Sequence, residues 1–386
     1  MDADSKEDKD NANIIFYDAE TQFENLGDLL INRILLRKLR NFGSLCINLA
    51  AVPSWYQEKI EALPSESLDE GNGKFENRVF WIGMRSLFNP NLNVYLVQIP
   101  GHYSGGVRGR ALKKILYFLL LKLVGVRICR LGTSIGAFSK DRARLEKWQS
   151  RFMHYYSVRD SLSQQYAQEI GIRKPRFFPD LAWLVTPCSM EALSSIEKRE
   201  YVILSFREVN FGSETSLDYQ NCFWATLDNV IDQVANELSM KIVVSYQVKR
   251  DYTFSKKIFD RYADTYNIHF MESKIDDDSM NSIYSASYMT FSNRLHVLMM
   301  SMAYGSLPVG VINPDEHSKI LGIFHDSKLE HLILNMYESE QVAQRMNDIL
   351  ASTHTLRQSI VELYSSNQKI SKRLLAEVFD EAEVAA

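Results

Sequence analysis

"YMTFSNRLHVLMMSMAYGSLPVGVIN", residues 288–313, reads as a strand, a helix and a second strand in immediate succession. The flanking runs "YMTFSN" (288–293) and "LPVGVIN" (307–313) are β-branched and aromatic. Between them Leu295, Leu298, Met299 and Met302 fall at i, i+3, i+4 and i+7, so a helix starts near Arg294. Its other positions are also mostly apolar, which buries it between a sheet and its neighbours. Arg294 and His296 are the exceptions. They stand at the helix start, where unpaired backbone N–H groups and the helix dipole favour an anion. Two residues apart, they share no helix face and would flank a ligand. A lone histidine here reads as a core residue; its coupling to an arginine at a strand-to-helix junction favours a ligand site.

The same alternation runs along the chain. Strand candidates are "NIIFY" (13–17), "VYLVQI" (94–99), "VRICRLG" (126–132), "YYSVR" (155–159) and "PRFFP" (175–179), then "YVILSFR" (201–207), "KIVVSYQ" (241–247) and "NIHFM" (267–271). Helical patterns separate them, which predicts parallel sheets covered on both faces. The polar stretch "TPCSMEALSSIEKRE" (186–200) divides the series. The expected architecture is α/β: two Rossmann-like lobes, 13–190 and 198–386, with mainly parallel sheets facing across a cleft. That is the GT-B-like plan. Residues 1–12 form a polar tail, and 53–80 read as a long surface loop.

Composition narrows the function. A net charge of −4 argues against nucleic acid, which calls for a basic domain. Cys46, Cys129, Cys188 and Cys222 are far apart and read as buried thiols in a reducing compartment. The acidic N-terminus is neither a signal nor a transit peptide. The most lipid-like stretch, "ALKKILYFLLLKLVGVRI" (111–128), is interrupted by Lys122 and falls short of a spanning helix. A core helix is its first reading and a membrane-surface helix its second. A cytoplasmic protein is expected, with at most weak peripheral contact at the inner face of the membrane.

In such sheets ligands bind beyond the carboxyl ends of the strands. Arg207 follows "YVILSF" and would aim a guanidinium at the cleft from a rigid element. Arg159 either pairs with a nearby carboxylate or joins the site, and Asp160 suits an N-cap. Gly132 and Gly136 bracket a loop of small residues after "VRICRL", fit for tight turns or for anion approach. Lys319 is either solvated or a third cation. Asp276, Asp277 and Asp278 read as an acidic first turn of the following helix. Asn25, Gly27 and Asp28 close a strand-to-helix connection, with Asp28 as N-cap. No zinc spacing, GxGxxG or P-loop is present, so neither a metal nor a dinucleotide cofactor is expected.

In order, these junctions resemble the polysaccharide pyruvyltransferase family. "ENLGDLLINRIL" is similar to its N-x-GD segment, and "LGTSIGAFS" to its glycine turn after a central strand. "SVRDSLSQQYAQEIGIRKPRFFPDLAWL" resembles its RD-x-x-S…G…PD signature, "YVILSFR" its strand ending in arginine, and "FSNRLHVLMMSMAYGSLPVGVI" its RLH-x-x-x-x-A-x-x-x-G-x-P element. The resemblance covers about residues 23 to 325. One departure is "QIPGHYSGG" (98–106), where the family often carries a glycine triplet.

The resemblance implies transfer of the pyruvyl group of phosphoenolpyruvate to a sugar of an exopolysaccharide or cell-surface glycan, often lipid-linked, forming a ketal and releasing phosphate. It implies His296 and Arg294 in catalysis, with the imidazole as a near-neutral acid and base. Donor contacts come from Arg207, Arg294, Lys319 and Asn293, and acceptor contacts from Asn25, Asp28, Arg159 and Asp180. Phosphoenolpyruvate is a co-substrate, and the scheme needs no cofactor. The competing readings are a GT-B glycosyltransferase with a nucleotide-sugar donor and a non-catalytic glycan- or partner-binding protein.

Overall fold

The computed structural model describes residues 12–68, 74–106, 109, 111–186, 199–208 and 215–379. Two wholly parallel sheets organise it. The first joins β1 (Ala12–Asp18), β2 (Ser44–Asn48), β3 (Leu92–Gln98), β4 (His102–Gly105), β5 (Arg127–Phe138), β6 (Tyr155–Val158) and β7 (Arg176–Phe177). Its order is β2-β1-β3-β5-β6-β7, with β4 added beside the far end of β5. The second joins β8 (Tyr201–Ser205), β9 (Lys241–Val244), β10 (Ile268–Phe270), β11 (Ser287–Ser292), β12 (Leu307–Ile312) and β13 (Ile333–Asn335), in the order β10-β9-β8-β11-β12-β13. The two-lobed α/β plan of the sequence is therefore present.

Central position explains the apolar runs. Every residue of β11 and β12 is buried, because helices cover both faces. Helix α10 (Leu295–Ala303) links them and buries every side chain but His296. It ends at Gly305, whose φ of 86° supplies the left-handed turn that closes a helix. The earlier helices are α1 (Leu26–Leu39), α2 (Ser54–Lys59), α3 (Phe75–Ser86), α4 (Ala111–Leu123), α5 (Lys140–Ser150) and α6 (Ser161–Glu169) in the first lobe. Then come α7 (Thr215–Gln233), α8 (Tyr252–Tyr262) and α9 (Met280–Ser285). After α10 follow α11 (Ser318–Asp326), α12 (Val342–Ala351) and α13 (Thr353–Phe379).

Several expectations are corrected. The stretch 53–80 is no long loop: it holds α2 and α3, while 69–73 lie outside the described residues. Residues 132–136 are no loop after a strand, since β5 runs through them to Phe138. Gly132 allows that path, because a Cβ there would lie 2.8 Å from the Pro179 carbonyl oxygen. The tail expected over 1–12 loses Ala12 to β1, and 1–11 lie outside the described residues. So do 187–198, most of the expected boundary segment, with Cys188. Of the other cysteines, Cys129 is buried, but Cys46 and Cys222 are only partly so.

The last helix does not stay in the second lobe. Arg357, near its start, donates to the Tyr288 carbonyl at 2.9 Å. Phe379, at its end, packs on Tyr95 and Phe42 of the first sheet's layer. Ion pairs also cross between lobes: Arg33 meets Asp277 at 2.9 Å and Lys59 meets Asp278 at 2.7 Å. Of the aspartate triplet only Asp276 serves the helix start, accepting from Ser279 N at 3.0 Å.

Candidate active site

The carboxyl ends of the two sheets meet where α1 and α10 start. Asn25, not Asp28, caps α1, its Oδ1 accepting from Gly27 N at 3.1 Å. Arg294 occupies the N-cap of α10 in extended conformation, so it precedes the first turn and does not lie in it. The two starts touch. A Cβ placed on Gly27 would lie 2.2 Å from Nδ1 of His296, so only glycine permits this approach. The imidazole of one lobe thus rests on the first turn of a helix of the other.

Arg294 is aimed by Asp251, which accepts from its Nη2 at 2.7 Å. Its Nε has no partner and is buried. Arg207, two residues past β8, is held by Asn293: the amide oxygen accepts from Arg207 N and the amide nitrogen donates to Arg207 O, both at 2.9 Å. Asn293 was expected among donor contacts, and the structure commits its amide to the peptide of Arg207. The Arg207 Nε is also buried without a partner. Burial, and Arg294 next to it, pull this guanidinium below its ordinary value.

His296 departs from the near-neutral imidazole expected. Burial drives its pKa down to about 4, helped by Arg159, Lys319 and Arg294 and opposed by Asp180. It is neutral at pH 7, with Nε2 buried and unpartnered. Lys319 is no solvated lysine. Burial pushes it down to about 8, with Arg159, Arg207 and Arg294 adding repulsion and Asp28 relieving some of it. Asp28 rises to about 6 through burial, against the pull of Lys319 and Arg159.

Arg159 and Asp180 were read as acceptor contacts, and the structure pairs them with each other. Both are nearly inaccessible, and they form a buried ion pair. Arg159 Nε also donates to Ser134 Oγ at 2.6 Å, which donates to Asp160 at 2.7 Å. Asp160 caps α6 as expected, accepting from Ser163 N at 2.7 Å. This network lies close enough to act on His296 and Lys319 electrostatically, so the pair shapes the cleft's field from just beneath its surface.

The sequence did not point to three contributors, His317, His102 and Asp251, nor to the part that Gly27 plays. His317 caps α11, is buried, and leaves Nε2 unpartnered while its Nδ1 lies 3.1 Å from Asn313 O. His102 is exposed on β4, the segment that departs from the family pattern. Its ring lies within the electrostatic reach of Lys319 and Arg159. Asp251 and Gly27 act on Arg294 and His296 by aim and by absence. A short exposed strand and a glycine's missing methyl leave no periodic signal to read.

Buried polar nitrogens without partners are rare in folded proteins and mark places where a polar ligand belongs. Here four of them, on Arg207, Arg294, His296 and His317, gather among cations that repel one another. The arrangement is made for a compact, multiply charged anion.

Residues 25–310 match a family model described as polysaccharide pyruvyl transferase. No curated protein matches the sequence. Among solved structures, a Listeria monocytogenes protein described as a UDP-N-acetylglucosamine 2-epimerase superposes with TM-score 0.58 at 11% identity, over 96% of this chain and 97% of that one. The UDP-GlcNAc 2-epimerase of Neisseria meningitidis gives 0.57 at 8% identity over 95% and 99%. A mutant O-GlcNAc transferase from Thermobaculum terrenum gives 0.56 at 11% over 97% and 68%. At such identities the likeness is one of fold, the GT-B fold.

Proposed function

The chain belongs to the polysaccharide pyruvyl transferase family, and on that footing we propose that it takes the pyruvyl group from phosphoenolpyruvate and sets it as a ketal on a sugar of a lipid-linked glycan, releasing phosphate. The observation that carries the donor assignment is the gathering of unpartnered nitrogens on Arg207, Arg294, His296 and His317 beside Lys319. Phosphoenolpyruvate offers a carboxylate and a phosphate a few ångströms apart, which is the charge distribution such a cluster lacks.

The chemistry follows from the charges. A proton adds to the methylene carbon, leaving an oxocarbenium-like centre at the carbon that bears the phosphate. A sugar hydroxyl attacks that carbon and gives up its proton. Phosphate then leaves with the bonding pair, and a second hydroxyl closes the ring, releasing the other proton. With its pKa held down to about 4 by burial, His296 is neutral and equipped as the base for the attacking hydroxyl. It becomes the acid for the methylene once the donor's negative charge has raised its pKa. Arg294, aimed by Asp251, and Arg207, whose peptide Asn293 holds, supply the cations for the two anionic groups.

Calorimetry tests the donor. Bound negative charge raises the pKa of Lys319 from about 8 and of His296 from about 4, so binding takes up protons. Affinity for phosphoenolpyruvate is expected to fall as pH rises from 6.5 to 8.5, as Lys319 loses its proton and Asp28, at about 6, completes its ionisation. Arg207→Lys weakens binding although the charge is kept, because the bidentate fork is lost. A nucleotide sugar that binds more tightly than phosphoenolpyruvate contradicts the assignment and supports a glycosyltransferase.

A further inference from the structure

Helix α4 reads from its sequence as a core helix, yet it buries only Phe118 and Leu121. Leu112, Leu116, Leu120 and Leu123 form one stripe at helical spacing along its outer side. All four are exposed, Leu112 by 73% and Leu123 by 66%. The neighbouring helix α3 adds exposed Trp81, and Phe88, just past its end, is 84% exposed. Leu87 packs beside Gly125, just past the end of α4, so the two apolar edges join. A patch of this kind on a water-soluble fold marks a docking surface.

Its charges say what docks there. Over α3 and α4 five cations, Arg78, Arg85, Lys113, Lys114 and Lys122, stand against one acid, Glu76, in a chain whose net charge is −4. Arg85 and Lys113 are exposed, Lys114 lies over the Phe118 ring, and Lys122 donates to the Arg151 carbonyl at 2.9 Å. A second copy is a poor fit, because a two-fold contact would bring these cations against their own copies. Exposed leucines and aromatics rimmed by lysine and arginine match an anionic lipid surface. At 13 residues the helix is too short to cross a bilayer, and no described helix is long and apolar enough to do so. We infer that α4 and the end of α3 lie in the headgroup region of an anionic membrane, apolar stripe inward. The inference goes beyond the donor assignment and does not depend on it.

Vesicle flotation of the whole protein tests it. The protein is expected to float with vesicles of phosphatidylcholine plus phosphatidylglycerol, to float poorly with phosphatidylcholine alone, and to be released by salt. Lys113→Glu with Lys122→Glu should weaken partitioning roughly 30-fold or more, the effect of losing two cations at an anionic surface. Leu112→Glu with Leu116→Glu should abolish it. These side chains are exposed, so both variants should keep the parent's turnover on a soluble acceptor. Partitioning that survives the leucine changes overturns the inference. So does a parent that fails to float and forms a dimer dissociated by Leu112→Glu with Leu116→Glu, because a second copy then covers the face.

Discussion

His296→Asn is expected to fold with a melting temperature close to the parent's while turnover falls by roughly 10²–10⁴, the usual loss when a general acid or base is removed. The fold tolerates the change because the imidazole contributes no charge at neutral pH and its Nε2 makes no hydrogen bond. Acidification provides a second signature. The folded pKa, about 4, lies below the ordinary value of 6.5. The unfolded chain therefore binds more protons between those values, and the imidazole's contribution to stability, present above 6.5, is lost as pH falls toward 4. The asparagine variant lacks this term, so its stability should fall less steeply across that window. Unfolding at neutral pH, or unchanged turnover, would make the imidazole an ordinary packing residue.

Gly27→Ala should be nearly as damaging, for a reason that no charge explains. The added methyl would lie 2.2 Å from His296 Nδ1, and alanine in the first turn of α1 is otherwise the better helix former by about 1 kcal/mol. Local propensity and site geometry thus pull in opposite directions. The variant should keep its helical content yet lose roughly 100-fold in turnover, the scale expected when a reacting group shifts by about 1 Å. Comparing turnover with circular dichroism separates displaced chemistry from a damaged fold. Full activity would show that the two helix starts separate during the reaction.

The fold was legible where burial imposes period and composition. β8, β11 and β12, covered on both faces, wrote themselves as apolar runs, and α10 between them as an almost wholly apolar helix. β2, β4 and β13 were missed: β4 and β13 are short, β4 is largely exposed, and β2 is a five-residue edge strand, so no long apolar run marks any of them. Helix α4 was misread because hydrophobicity reports the wish to leave water and not the partner that grants it. Arg207 and Arg294 were legible as site cations because they closely follow strands, whereas Lys319 lies inside α11 and its sequence left a solvated lysine and a third cation both open. What aims them was not. Asp251 lies 43 residues before Arg294, and the pairing of Arg159 with Asp180 competes with any ligand in a way that only the folded geometry shows. Asn25 displaced Asp28 as the cap because both fit the position chemically and the path of the backbone decided between them.

The function proposed for this protein turns on whether the cations between the two sheets hold phosphoenolpyruvate for transfer to a sugar diol. The most direct measurement follows phosphate release from phosphoenolpyruvate in the presence of a panel of aryl and lipid-linked glycosides, with mass spectrometry of the acceptor. One phosphate should be released for each acceptor that gains a pyruvate less one water, and neither event should occur with Arg294→Met. Phosphate release with no change in acceptor mass, or glycosyl transfer from a nucleotide sugar by the same cleft, would contradict it.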